Sequence, residues 1–485
     1  MRLAGAEEYQ NAAATNYLAD VRATFEPFAN HPAIAATRAL REQHGIAYDA
    51  PMELAAQLDD QLQPRGKLSE LLPALDKRWT GVDADAYVAQ LRAFAADSKF
   101  DAFFAVHRPY YGAVENRMRA ALQAEHPADW FDSFFGAQPG ARFVVIPGLL
   151  LGPNNYGVHS SAAGTMDMYQ VLGLYQPDAK DLPVMNEQLL ELLVHEMTHS
   201  FVNPVLMRHL DQLVPAADPL FAQVRAAMAR QAYPETRIMV YESCVRAVTA
   251  LYVRDRKGQA AADAAIADEV TRGFLWTPEL VELMAKYRGD RTRYRDFEAL
   301  VPDLVAFFTA QSKRFAGGVP FLGTVNDVFE HDYVIATSPD PAVASYAKQL
   351  ADKFGKPLVP ATAHVVVEHP HASVVAYGTP DSNPVIADVA HRAGWTIRDG
   401  EIALGSQKFT GGNLVLIACW PRDDDPERAI AVYAAAHEAD VVGINSLRHG
   451  GTSWLVGRRR ADGTFEQVAA GNFGRDLHGK WQLPR

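Results

Sequence analysis

Cysteine is scarce in this sequence, which excludes a fold held together by a framework of disulfide bonds. The two cysteines among the 485 residues are Cys244 and Cys419. Both fall within apolar runs, one with the spacing of a buried helix and the other with that of a buried strand. A cysteine in such a run usually serves as a small core residue. We therefore predict that both are buried and that they do not pair with each other.

Long apolar runs and an excess of positive charge are also missing. No stretch approaches the roughly 18 apolar residues of a membrane span, and the opening MRLAGAEEYQ lacks the apolar segment of a signal peptide. Lys and Arg number 46 against 58 Asp and Glu, which gives a formal charge of -12. The short run Arg458, Arg459, Arg460 is the densest basic stretch. We expect neither a membrane span nor a nucleic-acid partner, while the compartment stays open because a leader can be removed.

Hydrophobic residues are plentiful at 48%, and charged residues make up 21%, which is typical of globular domains. A chain of 485 residues is longer than one hydrophobic core usually organises. We expect three regions: a helical N-terminal lobe over residues 1–125, a mixed region over 126–320, and an α/β accessory domain over 325–485. A Gly-Gly-Val-Pro stretch at 317–320 marks the last boundary.

Hydrophobic periodicity predicts the secondary structure of these regions. Apolar residues recur at helical spacing through the first lobe and again over 217–313. Between them, RFVVIPGLLLG, PNNYG and TMDMYQVLGL predict paired strands or a hairpin at 142–175. Beyond 325, three segments beginning DYVIATS, SVVAYG and NLVLIACW each have the pattern of strand, turn and helix. We expect an α+β fold for the first two regions and a mostly parallel sheet in the third.

The motif with the clearest chemistry is HEMTH at residues 195–199. In the pattern H-E-x-x-H on a helix, the two histidines project from one face and can bind one metal ion. Glu196 lies between them and can act as general base toward a water at that metal, passing the proton to the leaving amine. The pattern predicts a catalytic zinc site with His195 and His199 as ligands.

A solvated amphipathic helix is the alternative explanation of the same five residues. The helix is predicted to begin at Asn186 and to end at Asn203 and Pro204. The leucines and the valine before His195 make nearly its whole circumference apolar, and such a helix is buried. Buried histidines and a buried carboxylate need partners, and one zinc ion satisfies all three.

A catalytic zinc of this class needs a third protein ligand. The extended motif with a histidine ten positions after the first is absent, because Val205 stands there and Val202 occupies the expected glycine position. His209 is out of register and is predicted to lie at the surface. The better candidate is Glu242, which falls within an apolar helical stripe. Alternatively, Glu242 forms a routine ion pair with Arg246 one turn later; if Glu242 is a ligand, Arg246 would orient it.

Other polar residues are candidates for contacts with a ligand or substrate. Asn203 extends the helical face of His199 and could hydrogen-bond a ligand or substrate, or it could simply end the helix. An edge strand from the 142–175 region could hold an extended peptide by main-chain hydrogen bonds. Side chains able to stabilise an oxyanion, among which the sequence does not choose, are Tyr156, His159, Tyr233 and Tyr241.

The chain resembles the zincin metallopeptidases, since a glutamate on a helix after HExxH is similar to the gluzincin arrangement. This resemblance implies zinc ligation by His195, His199 and Glu242, with Glu196 as the catalytic base. HEMTHSFVNP, LDKRW, SKFDAFF and PGLLLGPNNYG resemble a little-characterised bacterial family over residues 1–320, whose members are predicted metallopeptidases often carried behind secretion signals. The resemblance implies a zincin-like fold, a peptide or protein substrate, and a secreted or periplasmic location. His199 and Glu242 are 43 positions apart (242 − 199), a longer separation than in the best-known gluzincins.

Three functional hypotheses follow from these observations. The first is a zinc endopeptidase or aminopeptidase. The second is a non-catalytic binding protein that its metal stabilises, and the third is a zinc hydrolase of a non-peptide amide or ester, because an activated water does not itself choose the carbonyl. The C-terminal domain has neither a dinucleotide fingerprint nor a phosphate loop, and we expect it to dock, to position substrate or to support assembly. The sequence leaves the substrate and the oligomeric state open.

Overall fold

The computed structural model divides the chain into two units, each of which is described by itself. The first unit comprises Met1–Arg208 and Lys286–Leu300, and the second comprises His209–Ala285 and Val301–Arg485. The structure describes residues 1–9, 13–136, 141–151, 154–162, 165–173, 176–330, 332–425, 427–449 and 451–484.

The first unit is mainly helical, and its helices begin where the sequence offers a capping side chain. Thr15 Oγ1 accepts a hydrogen bond from Leu18 N, and Asp83 Oδ1 accepts one from Ala86 N, both at 3.0 Å. Such caps satisfy backbone donors that have no partner within the helix. Leu68, Leu72 and Trp79 are fully buried in one of its core clusters. The helices of this unit are α1 (Asn16–Phe25), α2 (Pro32–His44), α3 (Ala50–Ala56), α4 (Leu68–Leu75), α5 (Ala84–Asp97), α6 (Phe100–Glu125), α7 (Pro127–Phe135) and α8 (Glu187–Met207).

A three-stranded sheet precedes α8. Its strands are β1 (Ala141–Gly148), β2 (Tyr156–Ala162) and β3 (Thr165–Gly173), and β3 lies in the middle. β2 and β3 form an antiparallel hairpin, whereas β1 pairs with β3 in parallel. The prediction of paired strands is confirmed, but the extra strand β2 was not anticipated because YGVHSSA has few apolar residues. Pro153 of the predicted turn and Gly152, the last residue of the apolar run before it, lie outside the described residues.

The helix α8 carries the HEMTH motif, and its start agrees with the prediction. Asn186 Oδ1 accepts a hydrogen bond from Leu189 N at 3.0 Å and caps the first turn. The predicted end at Asn203 and Pro204 is wrong, because the helix continues to Met207. Pro204 lacks only its own backbone N–H donor. The side chain of Leu206 is fully buried, and its packing stabilises the helical turn that follows.

The second unit begins with further helices. Its most buried helix is α10, in which Cys244 is fully buried and Ser243 Oγ accepts a hydrogen bond from the indole of Trp276 at 3.0 Å. Cys419 is also buried, and neither cysteine forms a disulfide, as predicted. The helices are α9 (Leu210–Ala229), α10 (Thr236–Lys257), α11 (Gln259–Thr271), α12 (Thr277–Gly289), whose last turn is assigned to the first unit, and α13 (Val301–Arg314).

A seven-stranded sheet forms the rest of the second unit, with the order β13-β12-β10-β11-β6-β4-β5. The pairs β11–β6, β6–β4 and β4–β5 are parallel, whereas the pairs β11–β10, β10–β12 and β12–β13 are antiparallel. Its elements, with the short strands and helices around it, are β4 (Tyr333–Thr337), α14 (Pro341–Phe354), β5 (Leu358–Pro360), α15 (Val365–Glu368), β6 (Ser373–Gly378), α16 (Pro384–Ala393), β7 (Trp395–Arg398), β8 (Glu401–Leu404), β9 (Gln407–Thr410), β10 (Leu414–Pro421), β11 (Ala429–Ala435), α17 (Glu438–Val441), β12 (Trp454–Arg459), β13 (Phe465–Gly471), β14 (Gly474–Arg475) and β15 (Trp481–Gln482).

This sheet is mixed, so the expectation of a mostly parallel sheet is corrected. The first two predicted units are confirmed as β4 with α14 and β6 with α16. The third is a pair of antiparallel strands, β10 and β11, where a strand and a helix were predicted. The residues of β11 are all buried, and a short continuous apolar run has the same pattern in a buried strand as in a buried helix. Among the described residues, none of the helices has both the length and the apolar character that a membrane span requires.

Candidate metal centre

The helix α8 brings the imidazoles of His195 and His199 together. Their Nε2 atoms are 3.2 Å apart, and the two rings meet at an angle of 78°. Two nitrogens bound tetrahedrally to one zinc at 2.0–2.1 Å would be separated by about 3.3 Å. The spacing of the two nitrogens therefore fits two ligands of a single ion.

Asn203 stands one turn after His199 and orients its ring. Asn203 Oδ1 lies 3.2 Å from His199 Nδ1. Because a side-chain carbonyl oxygen can only accept, Nδ1 is the donor of this hydrogen bond, and Nε2 then carries the lone pair that a metal needs. Of the two roles considered for Asn203, the structure favours the hydrogen bond to a ligand, because the helix does not end there.

We predict that Asn203→Ala weakens zinc binding by about 10-fold, because loss of a partner that orients a metal-binding histidine typically costs 10–100-fold in affinity. The measurement is a competition titration with a chromophoric chelator. Met207→Ala is the matched control on the same helix, since Met207 is 62% exposed. Equal zinc affinity in the two variants would show that Asn203 does not orient His199.

The side of α8 that carries the motif is open to more solvent than the apolar sequence suggests. Leu193, Val194 and Met197 are buried, whereas His195 and Glu196 are only half-buried. The prediction that this helix is buried on nearly every side is therefore wrong at the motif itself. The side chains of His195 and Glu196 are therefore partly accessible to solvent and to small ligands.

The sheet of the first unit fixes α8 through one side-chain hydrogen bond. Gln170, on the central strand β3, is fully buried and donates from Nε2 to Ser200 Oγ at 3.0 Å. Ser200 directly follows His199 in the chain. This contact ties the motif to the middle of the sheet, and nothing in the sequence pairs the two residues, which are 30 positions apart.

Glu242 lies on α10 with a relative exposure of 8%. Its carboxylate is 3.1 Å from the guanidinium of Arg246 one turn later, so the predicted helix ion pair is present. Arg246 also pairs with Glu269 on α11, which the sequence analysis missed. Burial lowers the pKa of Arg246, but the carboxylates of Glu269 and Glu242 outweigh burial and raise it. Arg246 therefore remains a cation and can hold the Glu242 carboxylate in place.

The three residues predicted to bind a metal belong to different units: His195 and His199 lie in the first unit and Glu242 in the second. Each histidine offers an imidazole nitrogen, and Glu242 offers a carboxylate oxygen. Two imidazoles and one carboxylate are a ligand set found in catalytic zinc sites, where the fourth position is left for water or substrate.

The remaining candidates differ in their surroundings. Tyr156 is buried beside Tyr9, and burial raises its pKa to about 12. The main-chain oxygen of His159 accepts a hydrogen bond from Gln57 Nε2 at 3.0 Å, so this point of the β2 edge is unavailable to a peptide. Tyr233 accepts a hydrogen bond from Arg246 at 2.9 Å. Tyr241 is half-buried. His209, which is predicted from the sequence to lie at the surface, is also half-buried.

A second group of acidic residues lies in the first unit. The carboxylates of Asp49, Glu53 and Asp76 offer ligand atoms within 4.8 Å of one another. The guanidinium of Arg78 pairs with both Asp49 and Asp76. Because Arg78 already pairs with two of the three carboxylates, we interpret this group as an ion-pair cluster. Burial, followed by the charges of Asp49 and Asp76, raises the pKa of Glu53 to about 7.

We predict that Glu53→Gln stabilises the protein at pH 8 by about 1 kcal/mol, a value discounted for the partial exposure of Glu53. A carboxyl group with a raised pKa binds its proton more tightly in the folded state, so stability falls as the pH rises from about 4.5 to 7. Urea unfolding at pH 5 and pH 8 measures the effect, and the gain should mostly vanish at pH 5. Glu70→Gln on α4, whose side chain is 69% exposed, is the control. A gain that is equal at both pH values would contradict the prediction.

The structure thus defines a protein in which one helix, α8, carries two histidines spaced to bind one metal ion. Comparison with known families shows to which family the chain belongs. The chain belongs to the family described as a domain of unknown function, DUF4932, whose model matches residues 2–307. The match leaves the seven-stranded sheet outside its range. No curated protein and no solved structure matches the chain.

Proposed function

We propose that this chain is a zinc-dependent hydrolase of peptide bonds, in which His195, His199 and Glu242 hold the metal and Glu196 is the general base. The observation that carries the proposal is the 3.2 Å separation of the two Nε2 atoms on α8. The half-buried position of the motif and the buried carboxylate of Glu242, which pairs with Arg246, also support it.

Zinc in a site with three protein ligands lowers the pKa of a coordinated water and polarises the substrate carbonyl. The residues of this chain would perform the proton transfers. Glu196 takes a proton from the attacking water and delivers it to the nitrogen of the leaving amine. Its position between the two histidines suits this role, because a general base has to lie within hydrogen-bond reach of the proton that it removes.

A hydrogen bond and an ion pair position two of the proposed ligands. Asn203 fixes the tautomer and orientation of His199, and Arg246 orients Glu242. Tyr241 directly precedes Glu242 on α10 and is half-buried, so it is our preferred donor to the oxyanion. Tyr233 is the weaker choice because its hydroxyl already accepts a hydrogen bond from Arg246.

The experiment that tests this proposal is elemental analysis of the natively purified protein, followed by incubation with a peptide library. About one zinc per chain and peptide cleavage that stops on chelation and returns with zinc would support the proposal. Bound zinc with hydrolysis of non-peptide amides or esters alone would redirect the substrate assignment. Bound zinc with no hydrolysis would favour a binding protein that the metal stabilises, and protein without zinc would overturn the proposal.

A further inference from the structure

A small cavity in the second unit is lined by three arginines. It has a volume of about 220 Å³, and its basic lining residues are Arg230, Arg272 and Arg475. Among the described residues that line it, none is an aspartate or a glutamate. The lining is therefore unbalanced in charge, in a chain whose formal net charge is -12.

Arg475 is the most unusual of the three arginines. It is 5% exposed, and its guanidinium donates to the main-chain oxygens of Thr271 at 2.6 Å and Phe321 at 3.3 Å. It also lies over the ring of Trp481 at 4.7 Å. Within the described part of the chain, its Nε has no hydrogen-bond partner, and no carboxylate is among the groups that act on its charge. Burial, with no acidic side chain to offset it, lowers its pKa to about 10.

Two other buried arginines, unlike Arg475, pair with carboxylates. Arg246 is 6% exposed and pairs with the carboxylates of Glu242 and Glu269. Arg422 is 2% exposed and pairs with the carboxylate of Asp424. A buried charge is costly unless it is paired. Arg475 therefore has the burial of these two residues without their anionic partner.

The other arginines of the cavity are only partly neutralised. Arg230 pairs with Asp327 at 3.1 Å, and Arg272 is 3.8 Å from Glu269, which already pairs with Arg246. The Arg272 side chain is 55% exposed at the cavity. Asn472 Oδ1 accepts a hydrogen bond from Ser453 N, which leaves the Asn472 amide nitrogen as a further donor. The lining thus offers an anion several donors from different parts of the chain.

We propose that this cavity binds a small oxyanion, either a phosphate group or a carboxylate group of a small molecule, which supplies the counter-charge that Arg475 lacks. The planar guanidinium recognises both groups through paired hydrogen bonds. The volume is below the 300–1,000 Å³ typical of sites for drug-sized ligands, so the ligand is small. This binding is separate from the proposed peptide hydrolysis and does not depend on it.

Equilibrium dialysis of the full-length protein with radiolabelled inorganic phosphate and with radiolabelled malonate tests the proposal, in chloride buffers of equal ionic strength. We expect one of the two anions to bind, and its identity distinguishes a phosphorylated ligand from a carboxylated one. Arg272→Gln should weaken this binding at least tenfold and should fold, since Arg272 is half exposed. The control, Arg398→Gln, removes a 66% exposed arginine that pairs with Glu401 on the small β7 to β9 sheet.

Two results would overturn the proposal. One is that the folded wild-type protein binds neither phosphate nor malonate. The other is equal weakening of binding by Arg272→Gln and Arg398→Gln, which would show that the anion responds to net charge alone.

Discussion

Replacing Glu196 by glutamine is expected to reduce peptide hydrolysis by about 10²–10⁴-fold, the usual contribution of a general base, while zinc remains bound. Glutamine has the shape of glutamate but cannot accept a proton at neutral pH. Because Glu196 is not among the three proposed ligands, metal binding should change little. The measurement is kcat/KM for a cleaved peptide together with the zinc content of the same sample.

Glu191→Gln is the matched control for this experiment, since Glu191 is a half-buried glutamate on α8, five positions earlier. Its hydrolysis should stay within about twofold of wild type, in line with the small effects typical of substitutions away from the reacting groups. If Glu196→Gln retained full activity, another residue would have to be the base. If it lost zinc as well, its effect would be on the metal site and not on proton transfer.

Replacing His199 by alanine is expected to weaken zinc binding by about 100-fold or more and to abolish hydrolysis. Structural zinc sites with four ligands bind with about 10–16 kcal/mol, so one ligand contributes roughly 3 kcal/mol. His199 Nδ1 also donates a hydrogen bond to Asn203 Oδ1, which loses this donor in the variant. Zinc affinity measured by chelator competition, with elemental analysis of the purified variant, gives the result.

His209→Ala is the control, because His209 is outside the motif and is not one of the three proposed ligands. It should keep one zinc per chain. Glu242→Ala tests the third ligand separately: zinc loss comparable with that of His199→Ala would support ligation by Glu242. Retention of wild-type affinity by Glu242→Ala would remove Glu242 from the ligand set and leave the histidine pair in place. Unchanged affinity in His199→Ala would refute the site as a whole.

The parts of the site that were predictable from sequence are local. The helical period places His195 and His199 on one face, and an asparagine before an apolar run predicts the start of α8 at Asn186. The hydrogen bond between Gln170 and Ser200 and the ion pair between Arg246 and Glu269 join residues 30 and 23 positions apart. Such pairs are set by tertiary packing, and a single sequence carries no signal for them.

The errors in predicting the fold also arise because tertiary packing outweighs the local sequence preference. AIAVYAA in β11 is a continuous apolar run, and only its pairing with β10 and β6 makes it a strand. The sequence predicts that α8 ends at Asn203 and Pro204, but the burial of Leu206 keeps the following turn helical. In both cases the local preference is weak and burial in the folded chain decides the conformation.

The ion pair between Arg246 and Glu242 has a consequence for how the protein would acquire the proposed metal. In zinc fingers the ligands repel one another or stay unsatisfied until the ion arrives, so folding waits for the metal. Here Arg246 compensates the charge of Glu242 and itself belongs to a buried helix. We therefore expect the protein to fold before it binds the proposed metal, so that loading and exchange of the ion follow ordinary ligand binding.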